Sequence, residues 1–204
     1  MSISPRYAAN SFGNGPVVIE LYLDYVCRFS KKMFTVLYDD VLPNVDQNKF
    51  KFIFRHQVQS WHPSSTLVHE AGIAVSLLGK DKDFWTFSKA LFDHSEEYYD
   101  EPVYNETRAQ TYQRLAELVA ANSSVSKDQF LDVVAIKGTE PKNGGNKLQN
   151  DFKQFVKTGR QNSIHVSPTV LINGVVDNQI SSSWDAKQWL EKLNSTDEAV
   201  TANL

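Results

Sequence analysis

Apolar residues run almost without a break from Pro16 to Asp24, in PVVIELYLD, the pattern of a central strand buried on both faces. From Cys27 the period lengthens to that of a helix, with Phe29, Met33, Val36, Leu37, Val41 and Val45 near one side, and Pro43 should kink or end it. Phe50 to Arg55 alternates as a second strand. Strand, helix, strand in that order implies a parallel pair with a right-handed crossover. After Trp61-His62-Pro63 the strand signal disappears. Thr66 to Leu78, Lys82 to His94, Thr107 to Ala121, Ser126 to Ile136 and Lys147 to Lys157 each read as helices with an apolar face. Ser126-Lys127-Asp128-Gln129 is a capping-box pattern, and Lys142-Asn143-Gly144-Gly145-Asn146 breaks the chain before the last of these helices. Strand character returns from Ile164 to Ile172, Asn173-Gly174 supplies hairpin turn chemistry, and Val175-Val176 starts the returning strand. A closing helix from about Ser183 to Leu193 should turn Trp184, Trp189 and Leu193 inward.

Composition narrows the function classes. A chain of 204 residues, 41% hydrophobic and 12% aromatic, can bury a core as one domain, or as one domain with a large insertion. Its net charge of −3 and the lack of a polybasic run argue against nucleic acid or an anionic membrane as partner. The amino-terminal string MSISPRYAANSFGNGP is polar and rich in Gly, Pro and Ser. Nothing in it has signal-peptide length, and no segment approaches the ~18 apolar residues of a membrane span. A soluble, cytoplasmic protein is expected. Cys27 is the single cysteine, which forbids an internal disulfide framework and suits a reducing compartment. Three glycosylation sequons, at Asn105, Asn122 and Asn194, are then chance matches.

The position of Cys27 changes what a lone thiol means. It sits where the first strand gives way to a helix, and the first N–H groups of a helix carry partial positive charge that stabilises a thiolate. Arg28, Lys31 and Lys32 follow closely. Against this stands the ordinary behaviour of a free cysteine, which is that of a small buried hydrophobe. The histidines His56, His62, His69, His94 and His165 are scattered, and the spacing of seven between His62 and His69 does not stack two ligands on a helix turn. No metal site is expected. The aromatic set Phe84, Trp85, Phe87, Phe92, Tyr98 and Tyr99 reads as core of the helical block, part of which could line a groove over Cys27.

Strand, helix, strand, helical block, hairpin and helix is the order of an α/β thioredoxin fold with an inserted all-helical subdomain. Two motifs sharpen this. Asp24-Tyr25-Val26-Cys27-Arg28-Phe29-Ser30 is similar to a D-x-x-C-P-x-C/S region, and Val166-Ser167-Pro168-Thr169-Val170-Leu171-Ile172-Asn173-Gly174 to a T/S-P-T-x-x-x-N-G segment. On these the chain resembles the DsbA-like branch of the thioredoxin superfamily, from about Pro16 to Leu193. Trp61 to Glu70 also resembles the start of the insertion in intracellular fungal-type members. The expected organisation is a flexible segment 1–15, a thioredoxin-fold domain from 16–63 and 160–194, a helical insertion 64–159, and a flexible tail 195–204.

The resemblance carries expectations about the site. It makes Pro168 a cis-proline beside Cys27, with Ser167, Pro168 and Thr169 presenting backbone to an extended substrate; the plainer reading is a proline opening an edge strand. Ser30 stands where the resolving cysteine would be, so only monothiol chemistry remains: Cys27 forms a mixed disulfide that an external thiol such as glutathione resolves. Ser30 would hydrogen-bond the thiolate or simply be a polar first-turn residue, and Arg28 adds charge where proline is common. Glu20 and Asp24 are candidates for proton relay, unless Asp24 caps the helix and Glu20 reaches solvent at a strand edge. His62 lies in a segment that passes near the active face in this fold. The expected activity is thiol-disulfide exchange, with glutathione or a thiol or disulfide substrate as partner and no bound cofactor. Two alternatives stay open: a kappa-like glutathione transferase or isomerase, and a binding module that has lost turnover. Oligomeric state is left open.

Overall fold

A computed structural model describes residues 3–80, 82–138 and 140–201. Five strands form one mixed sheet in the order β1-β3-β2-β4-β5, with β1 at Ser11–Phe12, β2 at Val17–Leu23, β3 at Phe50–His56, β4 at Thr169–Ile172 and β5 at Val175–Val176. β2 and β3 run parallel, from Val17 opposite Phe50 to Leu23 opposite His56, and the other pairs are antiparallel. β2 lies between β3 and β4, which accounts for its continuous apolar run: Val17, Ile19, Leu21 and Leu23 are fully buried. Asn173 and Gly174 both take positive φ, 49° and 83°, the backbone that a two-residue hairpin turn between β4 and β5 needs.

The crossover from β2 to β3 is α1, Arg28–Val36, followed by a wider π turn at Leu37–Val41 and a short 3-10 turn at Leu42–Asn44 that holds Pro43. The buried stripe is Ser30, Met33, Phe34, Leu37 and Val41. Phe29, expected on that stripe, is 49% exposed. It stands in the first turn, beyond the packed part of the helix, with the Arg28 guanidinium 4.9 Å from its ring centroid.

Between β3 and β4 run α2 (Ser65–Leu78), α3 (Asp83–Asp93), α4 (Asp100–Val103), α5 (Arg108–Asn122), α6 (Lys127–Val134) and α7 (Gln149–Gln161). α2 is the hub of this block, with every residue from Val68 to Ser76 buried. At Gly72 the approach is so close that a Cβ would meet Tyr25 Oη at 2.7 Å and His56 Cε1 at 2.9 Å. The capping box expected at Ser126 and Gln129 is formed, and Thr107 and Gln110 form another on α5. α6 ends at Val134, which leaves Ile136 half-exposed beyond it.

Both chain ends depart from expectation. The lead-in 1–15 is built into the fold where described: Pro5–Asn10 is a 3-10 helix and Ser11–Phe12 pairs antiparallel with β3. Tyr7 is its anchor, buried, with its ring 4.6 Å from Phe155 and its hydroxyl donating to Asp151 at 2.8 Å. Composition alone missed it because these partners are distant in sequence. The closing helix α8 spans Ala186–Thr201, so residues 195–201 continue it instead of forming a tail; 202–204 lie outside the described residues. Trp189 and Leu193 are buried as expected, while Trp184 precedes the helix and packs edge-on to Trp189 at 5.8 Å. Among the described residues no helix is long and apolar enough to cross a membrane.

Candidate active site

β2 ends at Leu23, and the turn Asp24-Tyr25-Val26 delivers Cys27 to the N-cap of α1. Cys27 N–H donates to the Asp24 carbonyl at 3.0 Å, and its own carbonyl accepts from Lys31 N–H at 2.9 Å, so the thiol is held at the helix start. Its Sγ donates to the Ser167 carbonyl at 3.4 Å. The Ser167–Pro168 bond is cis, and Thr169, whose hydroxyl donates to the Val166 carbonyl at 2.8 Å, opens β4 directly opposite Tyr22 of β2. Two strand ends that are neighbours in the sheet thus bring Cys27 and Ser167 together. Both line an open cavity of about 580 Å³, walled also by Phe29, Trp61, His62 and Tyr99, with Arg28, Asp100 and Glu101 contributing charge. Gln59 Nε2 and Ser167 Oγ are buried without a hydrogen-bond partner among the described residues, and both residues line this cavity.

Asp24 does not cap the helix. Its carboxylate, fully buried, turns away from α1 towards the β3–α2 loop. Oδ1 accepts from Val26 N–H at 3.1 Å and the Ser65 hydroxyl at 3.0 Å, and Oδ2 from Gln59 N–H at 3.2 Å. His62 Nδ1 lies 2.9 Å from Oδ2, and His69 Nε2 stands 3.4 Å from Oδ1, at ion-pair distance without hydrogen-bond geometry. Burial alone would push this carboxyl up, but the histidines and the Val26 N–H hold it well below the usual carboxylate range. The same contact raises His62, against a smaller opposing effect of burial. Behind it the ring of His69 meets His56, Nδ1 to Nδ1 at 2.8 Å, and His56 Nε2 meets Asn10 at 3.3 Å. His56 is held well below its ordinary value, first by burial and then by His69.

Similarity to known proteins follows the same lines. No family model matches the chain, and no curated protein does. Among solved structures, a candidate protein-disulfide isomerase from Pseudomonas syringae superposes with a TM-score of 0.75 at 27% identity, over 92% of this chain and 99% of that one. BdbD from Bacillus subtilis matches with a TM-score of 0.64 at 19% identity, over 93% and 92% of the two chains. DsbA from Chlamydia trachomatis matches with a TM-score of 0.65 at 10% identity, over 97% and 95%. The chain has the DsbA-like thioredoxin fold. Its helical insertion is the block from α2 to α7.

Within this DsbA-like frame the remaining expected residues fall as follows. Ser30 is buried, and its hydroxyl oxygen accepts from the Asp24 N–H at 3.2 Å, tying the turn to α1. Arg28 lies over Phe29 at the cavity rim. Lys31, expected beside the thiol, reaches instead to Glu96 on the helical block at 3.1 Å. Glu20 does not reach solvent: it is fully buried and accepts from Arg55 Nε at 2.8 Å, with Arg55 Nη2 at 2.7 Å. Three of the five histidines read as scattered are not. His56, His62 and His69 converge behind Asp24, and of these His62 alone lines the cavity. Among the described residues no group of His, Cys, Asp and Glu could hold a metal ion.

Proposed function

We propose that the protein exchanges thiols and disulfides by a monothiol mechanism at Cys27. The observation that carries this reading is the single cysteine at the N-cap of α1, its sulfur 3.4 Å from the Ser167 carbonyl and open to a 580 Å³ cavity. The fold it shares with thiol-disulfide oxidoreductases supports the same general kind of chemistry. The Cys27 thiolate attacks one sulfur of a disulfide, the S–S bond breaks, and the second sulfur leaves as a thiolate that takes up a proton. The product is a mixed disulfide on Cys27. Ser30 has no sulfur with which to displace it, so a second, external thiol attacks and regenerates Cys27. Glutathione in a reducing cytoplasm is a thiol of the right class. The Ser167 carbonyl borders the sulfur, and the backbone from Ser167 to Thr169 is the surface on which an extended substrate would lie.

Turnover tests the reading. With a small alkyl disulfide and reduced glutathione, the wild type should catalyse exchange and Cys27→Ser should not. Glutathione conjugation that survives Cys27→Ser would favour the transferase-like alternative. A folded protein inert to disulfides and alkylating agents would favour a binding module.

A further inference from the structure

We propose that His62 is the acid–base residue of this exchange, with Asp24 as the positioning residue that acts through it. The inference rests on the reading of Cys27 as the exchanging thiol. His62 sits in the β3–α2 loop, its N–H donating to the Gln59 carbonyl at 3.1 Å and its ring edge-on to Trp61. Nδ1 is committed to Asp24 at 2.9 Å. Asp24 is itself locked by the Val26 and Gln59 N–H groups and the Ser65 hydroxyl, on the very turn that carries Cys27. With Nδ1 engaged, Nε2 is the ring nitrogen left for chemistry, and His62 lines the cavity that Cys27 and Ser167 share. His69 touches the other oxygen of Asp24 but is fully buried and off the cavity, so it cannot reach a substrate.

The charged groups around His62 favour its protonated form. Asp24 faces Nδ1, Asp100 acts on the ring from α4, and Glu101 lies on the same rim. Arg28 is the cation that lines the same cavity, and His69 lies beyond Asp24. This is the arrangement a monothiol enzyme needs. A dithiol protein can use its own second sulfur; here the leaving thiolate must find a proton elsewhere. In the first step the Cys27 thiolate attacks R–S–S–R′; a Cys27–S–S–R bond forms, and R′S⁻ takes the proton from the His62 imidazolium and departs as R′SH. In the second, an external thiol R″SH gives its proton to His62 and attacks the R sulfur. R–S–S–R″ leaves, and Cys27 regains its electron pair. No net oxidation occurs, since one disulfide is exchanged for another.

The leaving group separates this role from a structural one. Cys27 modification is followed in the full-length wild type, His62→Gln and Asp24→Asn, each checked for fold by circular dichroism. One reagent is oxidised glutathione, whose alkyl thiolate needs protonation. The other is dithiobis-nitrobenzoate, whose aromatic thiolate leaves without it. His62→Gln should lose about 10²-fold with oxidised glutathione at neutral pH and less than about threefold with the aromatic reagent. The wild-type rate with oxidised glutathione should fall as pH rises through the ionisation of His62, and that limb should vanish in His62→Gln. Asp24→Asn should show the same selective loss, smaller in size. Equal losses with both reagents, or no loss with either, would overturn the proposal. A wild type inert to both disulfides would overturn the Cys27 reading and this one with it; a reactive wild type with an indifferent His62→Gln would overturn this one alone.

Discussion

Lowering the pH from 7 to 5 should destabilise the protein through His56. The ring is 2% exposed, within 6 Å of the rings of Tyr25, Phe54, Phe84 and Phe155, and meets His69 Nδ1 at 2.8 Å. Burial, and secondarily His69, hold it well below the ordinary value of 6.5, so the native ring stays neutral where the unfolded one binds a proton. A folded value below the unfolded one contributes stability that is present above the unfolded value and lost as pH falls through it. Proton uptake by an unfolded ring of value 6.5 between pH 7 and 5 sets the loss at up to about 2 kcal/mol. His62 works the other way. Its folded value is raised, so its contribution is complete below 6.5 and is lost as pH rises through that folded value. Asp24, held low, contributes fully throughout this window. Both are shared by wild type and His56→Gln, so the comparison isolates His56. Urea unfolding of each at the two pH values, read by tryptophan fluorescence, should show His56→Gln less stable at neutral pH but losing up to about 2 kcal/mol less on acidification. Equal acid losses within about 0.5 kcal/mol would refute the neutral buried ring.

Three further substitutions probe the frame around the site. Arg55→Met removes the guanidinium from a fully buried carboxylate and should cost about 3–5 kcal/mol in urea unfolding, while the double variant with Glu20→Gln should recover most of it. Gly72→Ala places a methyl against Tyr25 and His56, and should lower stability by about 1–3 kcal/mol and shift the ring resonances of His56 in NMR spectra. Ser126→Ala breaks a formed capping box and should cost about 1 kcal/mol; an unchanged urea midpoint would show that the α6 start contributes nothing.

Much of this was legible from the residue pattern because it rests on local period and on motifs at element ends. The apolar run of β2, the helical faces and the Asn173-Gly174 turn each declare themselves within a dozen residues. Cys27 and the Ser167-Pro168 segment come together only through the resemblance, which two motifs at the correct ends of the element order carry; that β2 and β4 are neighbours is a finding of the structure. The histidines were not legible. His56 ends β3 and His69 lies on the second turn of α2, so no single helix or strand period relates them; only the register of Leu23 with His56 and the close approach at Gly72 bring them behind Asp24. Asp24 itself resembled a helix cap, since an acid before a helix commonly is one, and what turned it away was five partners from the turn, the β3–α2 loop and α2. Glu20 could be placed in a buried strand, but its partner Arg55 appears only when that strand pairs with β3. The lead-in looked loose because Gly, Pro and Ser dominate it, while its anchor is a single aromatic, Tyr7, meeting α7 far along the chain.

Monothiol exchange at Cys27 is tested most directly by intact-mass measurement after incubating the folded protein with oxidised glutathione and then with reduced glutathione. The wild type should take up one glutathionyl group and Cys27→Ser none, and reduced glutathione should strip the adduct and restore the original mass. A folded wild type that stays unmodified while the urea-unfolded chain reacts readily would show the sulfur to be shielded, and would contradict the account.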